Sequence, residues 1–295
     1  NRHPAPIVVK ASGLAGGKGA IVCETDPEAI GALDRIMVER VFGPAGDQVV
    51  IEECLRGQEV TVLAFTDGHT VLPMIQAQDH KAAYDGDNGP NTGGMGTLAP
   101  APLLDEKLLQ RVMDQTLQPA VDGMRQVGTP YVGVLYAGLM VCEDTFHVLE
   151  FNCRFGDPEA QAILPLLETD LVEVMEACID GTLERLSLKW ASKSCVCVVM
   201  ASRGYPNRYR TGFEISGLEE VAKLSDTMVF HAGTARQEGR IVTAGGRVLG
   251  VTAWADDLPS AIDRAYAAVH QIHWPGAMYR KDIGAKGLQT LGGNR

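Results

Sequence analysis

The 295 residues contain no apolar stretch long enough to span a bilayer and no recognisable signal peptide, so neither a membrane nor a secreted role is expected. Basic residues are few. Lys and Arg number 26 against 37 Asp and Glu, the formal net charge is −11, and no basic run is longer than a pair. A nucleic-acid surface is therefore excluded, because phosphate backbones need clustered Lys and Arg. No C-x-x-C pair occurs among the seven cysteines, which are odd in number and scattered through apolar runs. Structural zinc and dithiol redox motifs are excluded, and reduced thiols in a cytosolic protein fit best. Internal repeats and low-complexity segments are absent. There is no initiating methionine either: the chain opens at Asn1 and runs almost at once into a strand, as a fragment would.

What is present suffices for a large core and for two domains or three small ones. The most informative stretch is Val148-Leu149-Glu150-Phe151-Asn152-Cys153-Arg154-Phe155-Gly156-Asp157-Pro158-Glu159. Its first half reads as a strand, which puts Glu150 and Asn152 on one face and Leu149 and Phe151 in an apolar layer on the other. A carboxylate beside a carboxamide offers the hard oxygens that Mg²⁺ takes when it also binds phosphates. Asp157 reads as a helix N-cap with Pro158 at the first position. An ordinary edge strand with a capped helix accounts for the same residues.

Earlier in the chain, Ile7 to Lys10 and Ala20 to Cys23 read as strands flanking the glycine-rich turn 11–19, with Lys10 and Lys18 bracketing it. Ser12 stands where a Walker A loop needs glycine, and Gly19 where it needs Ser or Thr, so that motif is rejected, as is a Rossmann fingerprint. A flexible hairpin over phosphates survives, beside a plain glycine-rich hairpin. Asp26 is expected to cap a helix with Ile30, Leu33, Met37 and Val41 as its buried stripe. Gln48 to Leu55 is a strand ending in two acids, and Val60 to Phe65 another. In a nucleotide site, the backbone of Glu52 to Leu55 could read an adenine edge and Glu59 accept from ribose; solvated strand-end carboxylates are the plainer account.

Gln78-Asp79-His80-Lys81 leads into a long polar loop, Tyr84 to Gly96, dense in glycine and amides, as a structured binding loop would be. For His80, substrate positioning is favoured over catalysis. A long helix begins at Asp105, with a kink expected at Pro119. Tyr131 to Val141 is a strand returning through Phe146 to Asn152. From about residue 191 the pattern is a separate α+β unit in which Arg240 to Ala244 and Arg247 to Ala253 form a hairpin across Gly245-Gly246. Asp257 caps a late helix, and Arg280-Lys281-Asp282 reads as a solvated tail.

Taken together, the stretches 9–19, 51–53, 78–81, 89–96, 150–159 and 279–284 are similar, in order, to those of the ATP-grasp ligases, and within them the glycinamide ribonucleotide synthetase family. The resemblance implies an α+β fold: part of an ATP-grasp lid at 1–53, a core with metal and substrate site at 54–190, and a C-terminal α+β domain at 191–295. It implies ligation of glycine to 5-phosphoribosylamine at the expense of ATP, through a glycyl phosphate, in cytoplasmic purine synthesis. Lys10, Gly13, Gly17, Lys18, Glu52, Glu53, Cys54, Leu55 and Glu59 would bind ATP. Glu150 and Asn152 would hold Mg²⁺ (or Mn²⁺), and Arg154 and Lys81 would act catalytically. Asp79, His80, Lys81, Pro90, Asn91, Thr92, Gly93, Gly94, Met95 and Asp157 would line the glycine and ribosylamine side.

Two departures stand out. Tyr136 to Met140 is apolar where many relatives carry a further acidic metal ligand, and the family's N-terminal α/β domain is not in the chain. That missing domain of the same enzyme is the expected partner, with other purine-pathway domains as further ones. A different ATP-grasp carboxylate–amine ligase and a non-catalytic nucleotide-binding segment of a multifunctional purine enzyme remain as rivals.

Overall fold

The computed structural model describes residues 4–15, 19–143 and 145–293, in two compact units, 1–56 and 57–295. In the first unit, β1 (Ile7–Ala11) pairs antiparallel with both β2 (Ala20–Cys23) and β3 (Val49–Glu53). The helix α1 (Asp26–Leu33) packs on this sheet. Its cap is Thr25, not Asp26: Thr25 has the extended backbone of an N-cap and its hydroxyl accepts from the Glu28 amide at 3.4 Å. The buried face is Ala29, Ala32 and Ile36 rather than the expected larger residues, and Ile30 is 60 % exposed. Alanines let the helix lie close against Ile7, Val9 and Cys23, whereas bulkier side chains on that face would hold it off.

The second unit is built on two antiparallel sheets. One has the order β11-β10-β4-β5, from β4 (Gln58–Asp67), β5 (Val71–Pro73), β10 (Val132–Cys142) and β11 (Thr145–Asn152). The other runs β13-β16-β12-β9-β6, from β6 (Gln78–Asp79), β9 (Gly96–Ala99), β12 (Ser194–Ser202), β13 (Thr227–His231) and β16 (Arg247–Ala255), with β17 (Ala277–Met278) also on β12. Because β9 pairs with β12, the segment 191–295 shares this sheet with residues from the expected core segment. One cluster of buried side chains likewise joins Val60, Leu139 and Leu117 to Val196, Val251 and Ala265.

The long helix is present as α2 (Glu106–Val112) and α3 (Gln118–Gln126), joined by a π turn at Met113–Leu117. Gln118 N–H donates to Met113 O, five residues back, so the turn widens just before Pro119, which has no N–H to offer. Two expectations fail here. The stretch 84–96 is not structureless: β7 (Ala82–Tyr84) and β8 (Asn88–Asn91) form a small hairpin, and Gly96 opens β9. Nor do β15 (Arg240–Thr243) and β16 form a hairpin. β15 pairs with β14 (Thr234–Gln237), while β16 pairs with β12 and β13. The Gly-Gly step serves a backbone crossing instead, since a Cβ on Gly245 would lie 2.9 Å from the Cα of Gly233. No helix among the described residues is long and apolar enough to cross a membrane.

Candidate active site

Strand register assembles the site. Gly138 of β10 stands opposite both Thr61 of β4 and Glu150 of β11, and Tyr136 stands opposite Asn152. Alternation then places Glu59, Thr61, Tyr136, Glu150 and Asn152 on one face of the four-stranded sheet. An extra residue on β11, Leu149, is accommodated by a bulge where Gly138 gives way to Leu139. Gly138 also leaves room for its neighbour, as a Cβ there would come within 3.2 Å of Glu150 Cγ. The expected pairing of Glu150 with Asn152 is therefore realised, and Asn152 Nδ2 donates to Glu150 Oε1 at 3.1 Å. Phe151, by contrast, lies in no apolar layer. It is 46 % exposed, because β11 is the edge of its sheet.

Lys81 reaches the same face and pairs with Glu59 at 3.0 Å. Burial pulls its pKa down, but Glu59, Asp79 and Glu150 outweigh that and hold the ammonium charged, above its ordinary range. Asp79 is pushed well above the usual carboxylate range by burial and then by Glu159, against the pull of Lys81. Glu159, to which sequence reasoning assigned no role, is buried against this face. Tyr136 Oη donates to its Oε1 at 2.8 Å, and the Thr61 hydroxyl lies 3.2 Å from the same oxygen. The apolar-looking stretch 136–140 thus carries one polar anchor, a phenol held neutral by burial and by Glu159.

The residues following Asn152 differ from expectation in their contacts. Arg154 is exposed and donates to Phe155 O at 2.8 Å. Asp157 caps no helix. α4 (Ala160–Ile163) starts beyond it, and the Asp157 carboxylate instead accepts from Gln161 Nε2 at 3.0 Å and pairs with Arg247 at 3.2 Å. Arg247 is the main residue missed from sequence. From β16 its guanidinium donates to Gly93 O at 2.8 Å, Gly94 O at 3.3 Å and Asp157 O at 2.8 Å. It therefore ties the amide-rich loop to the turn after the Glu150 strand; a basic residue beside a Gly-Gly step was the only sequence signal.

Within that loop, Gly94 has φ +113 and a Cβ there would meet Pro158 and come within 2.7 Å of Asp79 Oδ1, so only glycine fits. Thr92 bonds back to Lys81 O at 2.8 Å. Pro90 and Asn91 are exposed, on β8. Met95 and His80 are corrected from ligand contacts to supports of the loop, since both side chains are wholly buried. His80 lies between β6 and β7, and its amide donates to Gly96 O at 2.9 Å. Its Nδ1 lies 3.1 Å from Gly96 O, beside Arg280.

Arg280 is no solvated tail. It is 1 % exposed and donates twice to the Asp282 carboxylate, at 2.7 Å each, and also to Asp87 at 3.0 Å and Ala82 O at 3.1 Å. This clamps the 82–91 hairpin. In the first unit, Lys10 pairs with Glu52 across β1 and β3, and Gly13 is packed against Ala45, to whose carbonyl it donates at 3.0 Å. Glu53 ends β3, and Cys54 and Leu55 follow it as half-buried residues. Gly17 and Lys18 lie outside the described residues.

The oxygens left on the site face suit a hard cation. With Asn152 Nδ2 on Glu150 Oε1, the pair still offers Asn152 Oδ1 and Glu150 Oε2, two oxygen donors of the kind an ion takes when its other ligands come from phosphates and water. No group of three or more His, Cys, Asp or Glu forms a metal cluster among the described residues.

We expect Arg247→Lys to keep the charge and lose the fork, since one ammonium does not span Gly93, Gly94 and Asp157 together. Amide hydrogen exchange at Gly94 and Met95 should then quicken by about tenfold, with the core unchanged. Unaltered exchange would deny Arg247 its hold on the loop.

Comparison with known proteins gives two family matches. Residues 1–160 match the phosphoribosylglycinamide synthetase ATP-grasp (A) domain, and residues 195–286 the C domain of the same family. A phosphoribosylamine–glycine ligase from Rhodopirellula baltica is 53 % identical over 97 % of this chain, which covers 66 % of that protein. The human trifunctional purine biosynthetic protein adenosine-3 is 52 % identical over 97 % of the chain, here covering 28 % of the larger protein. The chain thus spans just under two thirds of the length of the single-activity ligases it matches first. The crystal structure of a Thermotoga maritima phosphoribosylamine–glycine ligase superposes with a TM-score of 0.86 at 32 % identity, over 94 % of this chain and 68 % of that one. A Hydrogenobacter thermophilus biotin carboxylase domain, solved with MgADP and bicarbonate, shares the fold at TM-score 0.70 and 17 % identity, over 93 % of this chain and 58 % of that one.

Proposed function

The chain belongs to the phosphoribosylglycinamide synthetase family, with its ATP-grasp fold, and on that premise we propose that it serves an ATP-dependent ligase joining glycine to 5-phosphoribosylamine. The observation that carries the reading is the face shared by Glu150, Asn152 and a charged Lys81. In the first step a glycine carboxylate oxygen attacks the γ-phosphorus of ATP and the bond to ADP breaks. The ribosylamine nitrogen then attacks the acyl carbon of glycyl phosphate, the C–O bond to phosphate breaks, and the nitrogen loses a proton.

Both steps bring anions together, so fixed positive charge is what the protein must supply. Lys81, locked to Glu59 and kept protonated, offers it without proton exchange. Arg154, without a carboxylate partner among the described residues, would take the phosphate as it forms. A divalent cation, Mg²⁺ or Mn²⁺, held by Glu150 and Asn152 would screen phosphate charge. Nucleotide contacts are assigned to Lys10, Gly13, Glu52, Glu53, Cys54 and Leu55 of the first unit and to Glu59, with Gly17 and Lys18 assigned by resemblance alone. Asp79 and the 91–94 loop are assigned to the two acceptor substrates, in a cytoplasmic setting.

The test is ADP release by the protein carrying this chain. Release should require glycine and phosphoribosylamine together, and Glu150→Gln should lower kcat at least tenfold with an unchanged melting temperature. Release with another amino acid and none with glycine would overturn the substrate assignment. Tight Mg·ATP binding with no ADP under any combination would overturn the ligase reading in favour of a nucleotide-binding segment.

A further inference from the structure

The last third of the chain contains a cavity of about 510 Å³, and none of the residues lining it is assigned a part in the reaction above. Arg203, Arg208 and Arg210 line it together with Tyr209, Phe213 and the backbone of Gly276. Its volume lies within the range of small-molecule sites.

The charge there is unusual for this protein. The chain is acidic overall, at −11, and three other arginines of the same region are matched to carboxylates: Arg240 to Glu214, Arg264 to Asp226, Arg280 to Asp282. Among the described residues, none of Arg203, Arg208 and Arg210 has an ion pair with a carboxylate, and no acidic residue lines the cavity. Three arginines on one cavity without counter-charge favour an anion there.

The loop that presents them is fixed rather than loose. Arg203 N–H donates to Gly276 O at 2.8 Å at one end, and Gly212 N–H to Thr243 O at 2.7 Å at the other. Between them the chain folds back tightly at Gly204, where φ is +100 and a Cβ would strike Arg208 O. That fold-back brings Arg203 to the same cavity as Arg208 and Arg210. Tyr209 is itself supported by Tyr205, with ring centroids 6.4 Å apart.

We propose that this cavity binds a phosphorylated small molecule carrying a planar ring, such as a nucleoside monophosphate. Guanidinium forks match phosphate oxygens two at a time. The Tyr209 and Phe213 rings supply the apolar wall that a flat heterocycle stacks on.

Isothermal titration of the intact chain with inosine 5′-monophosphate tests this, with inosine and ribose 5-phosphate as partial ligands. Inosine 5′-monophosphate should bind at least tenfold more tightly than either. Arg208→Gln/Arg210→Gln should weaken it at least tenfold, and Tyr209→Ala should weaken it while leaving ribose 5-phosphate unchanged. These residues are exposed, so the variants should melt as the parent does. Absence of binding overturns the proposal. So does equal affinity in the arginine double variant, which would place the nucleotide elsewhere, or equal affinity for ribose 5-phosphate, which would remove the ring from recognition.

Discussion

Replacing Arg280 by alanine should destabilise the protein by about 3 kcal/mol, near the lower end for removing one partner of a buried ion pair. The guanidinium is fully buried, and its hydrogen bonds to the described residues go to oxygens: both carboxylate oxygens of Asp282, one of Asp87, and the carbonyl of Ala82. Alanine removes the guanidinium from those acceptors and leaves Asp87 to Lys286 and Asp282 to the Gly86 amide, with the Ala82 carbonyl losing its side-chain donor. Both acids retain partial exposure, which is why the lower end of the range applies. Lysine at the same place keeps the charge but not the fork, so Arg280→Lys should recover only part of the loss. Urea unfolding of the two variants measures both numbers. The effect should also be local, with faster hydrogen exchange at Gly86 and Lys281, whose amides donate to Asp282 and Asp85 at 2.8 and 2.7 Å. A loss below about 1 kcal/mol would mean that the clamp is not what holds the 82–91 hairpin.

That clamp shows where sequence reasoning stops. Read alone, Arg280-Lys281-Asp282 is a charged tail, because nothing local says that Asp87, some 190 residues earlier, will meet it. The same limit hid Arg247 and Glu159, whose partners Gly93 and Tyr136 become neighbours only through sheet pairing and loop packing. What was legible is what depends on short range. The strands 7–11, 58–67 and 145–152, the cap at Asp105 and the alternation that puts Glu150 beside Asn152 follow from periodicity and turn chemistry. Asp157 was misread because an Asp-Pro step normally opens a helix, whereas here its carboxylate is engaged by Arg247 and Gln161. The helix α1 failed in phase for a similar reason: size favoured Ile30 and Met37 as core, and close packing on a small sheet selected alanines.

These distant contacts share a direction. Arg247 and Arg280 both lie in the last fifty residues, and both hold segments that flank Lys81 and Asp79. The C-terminal segment thus acts on the site face through its loops, with the proposed metal ligands Glu150 and Asn152 themselves on β11. A variant in this segment should alter loop order before it alters the Glu150–Asn152 pair.

His80 gives the second large effect, a loss of stability in mild acid. The ring is 1 % exposed, with Nδ1 3.1 Å from Gly96 O and Nε2 buried without a hydrogen-bond partner among the described residues. Burial, then Arg280 and Lys286, pushes its pKa down to about 4, with Asp282 opposing. The neutral ring donates from Nδ1 to Gly96 O; a proton on Nε2 would sit buried, without an acceptor and beside a guanidinium. Above about pH 6.5, the unfolded pKa, folded and unfolded histidines are both neutral and the full stability is present. As pH falls further the unfolded chain takes up a proton that the folded chain refuses, so stability declines by about 1.4 kcal/mol per unit until the folded group titrates near 4. The total is about 3 kcal/mol. Asparagine places an amide donor where Nδ1 stands and does not titrate, so His80→Asn should lack this component while keeping the contribution of every other group. Denaturation curves of both proteins from pH 7.5 to 4 isolate it as their difference. Parallel pH profiles would show that His80 accepts its proton within the fold and would overturn this reading.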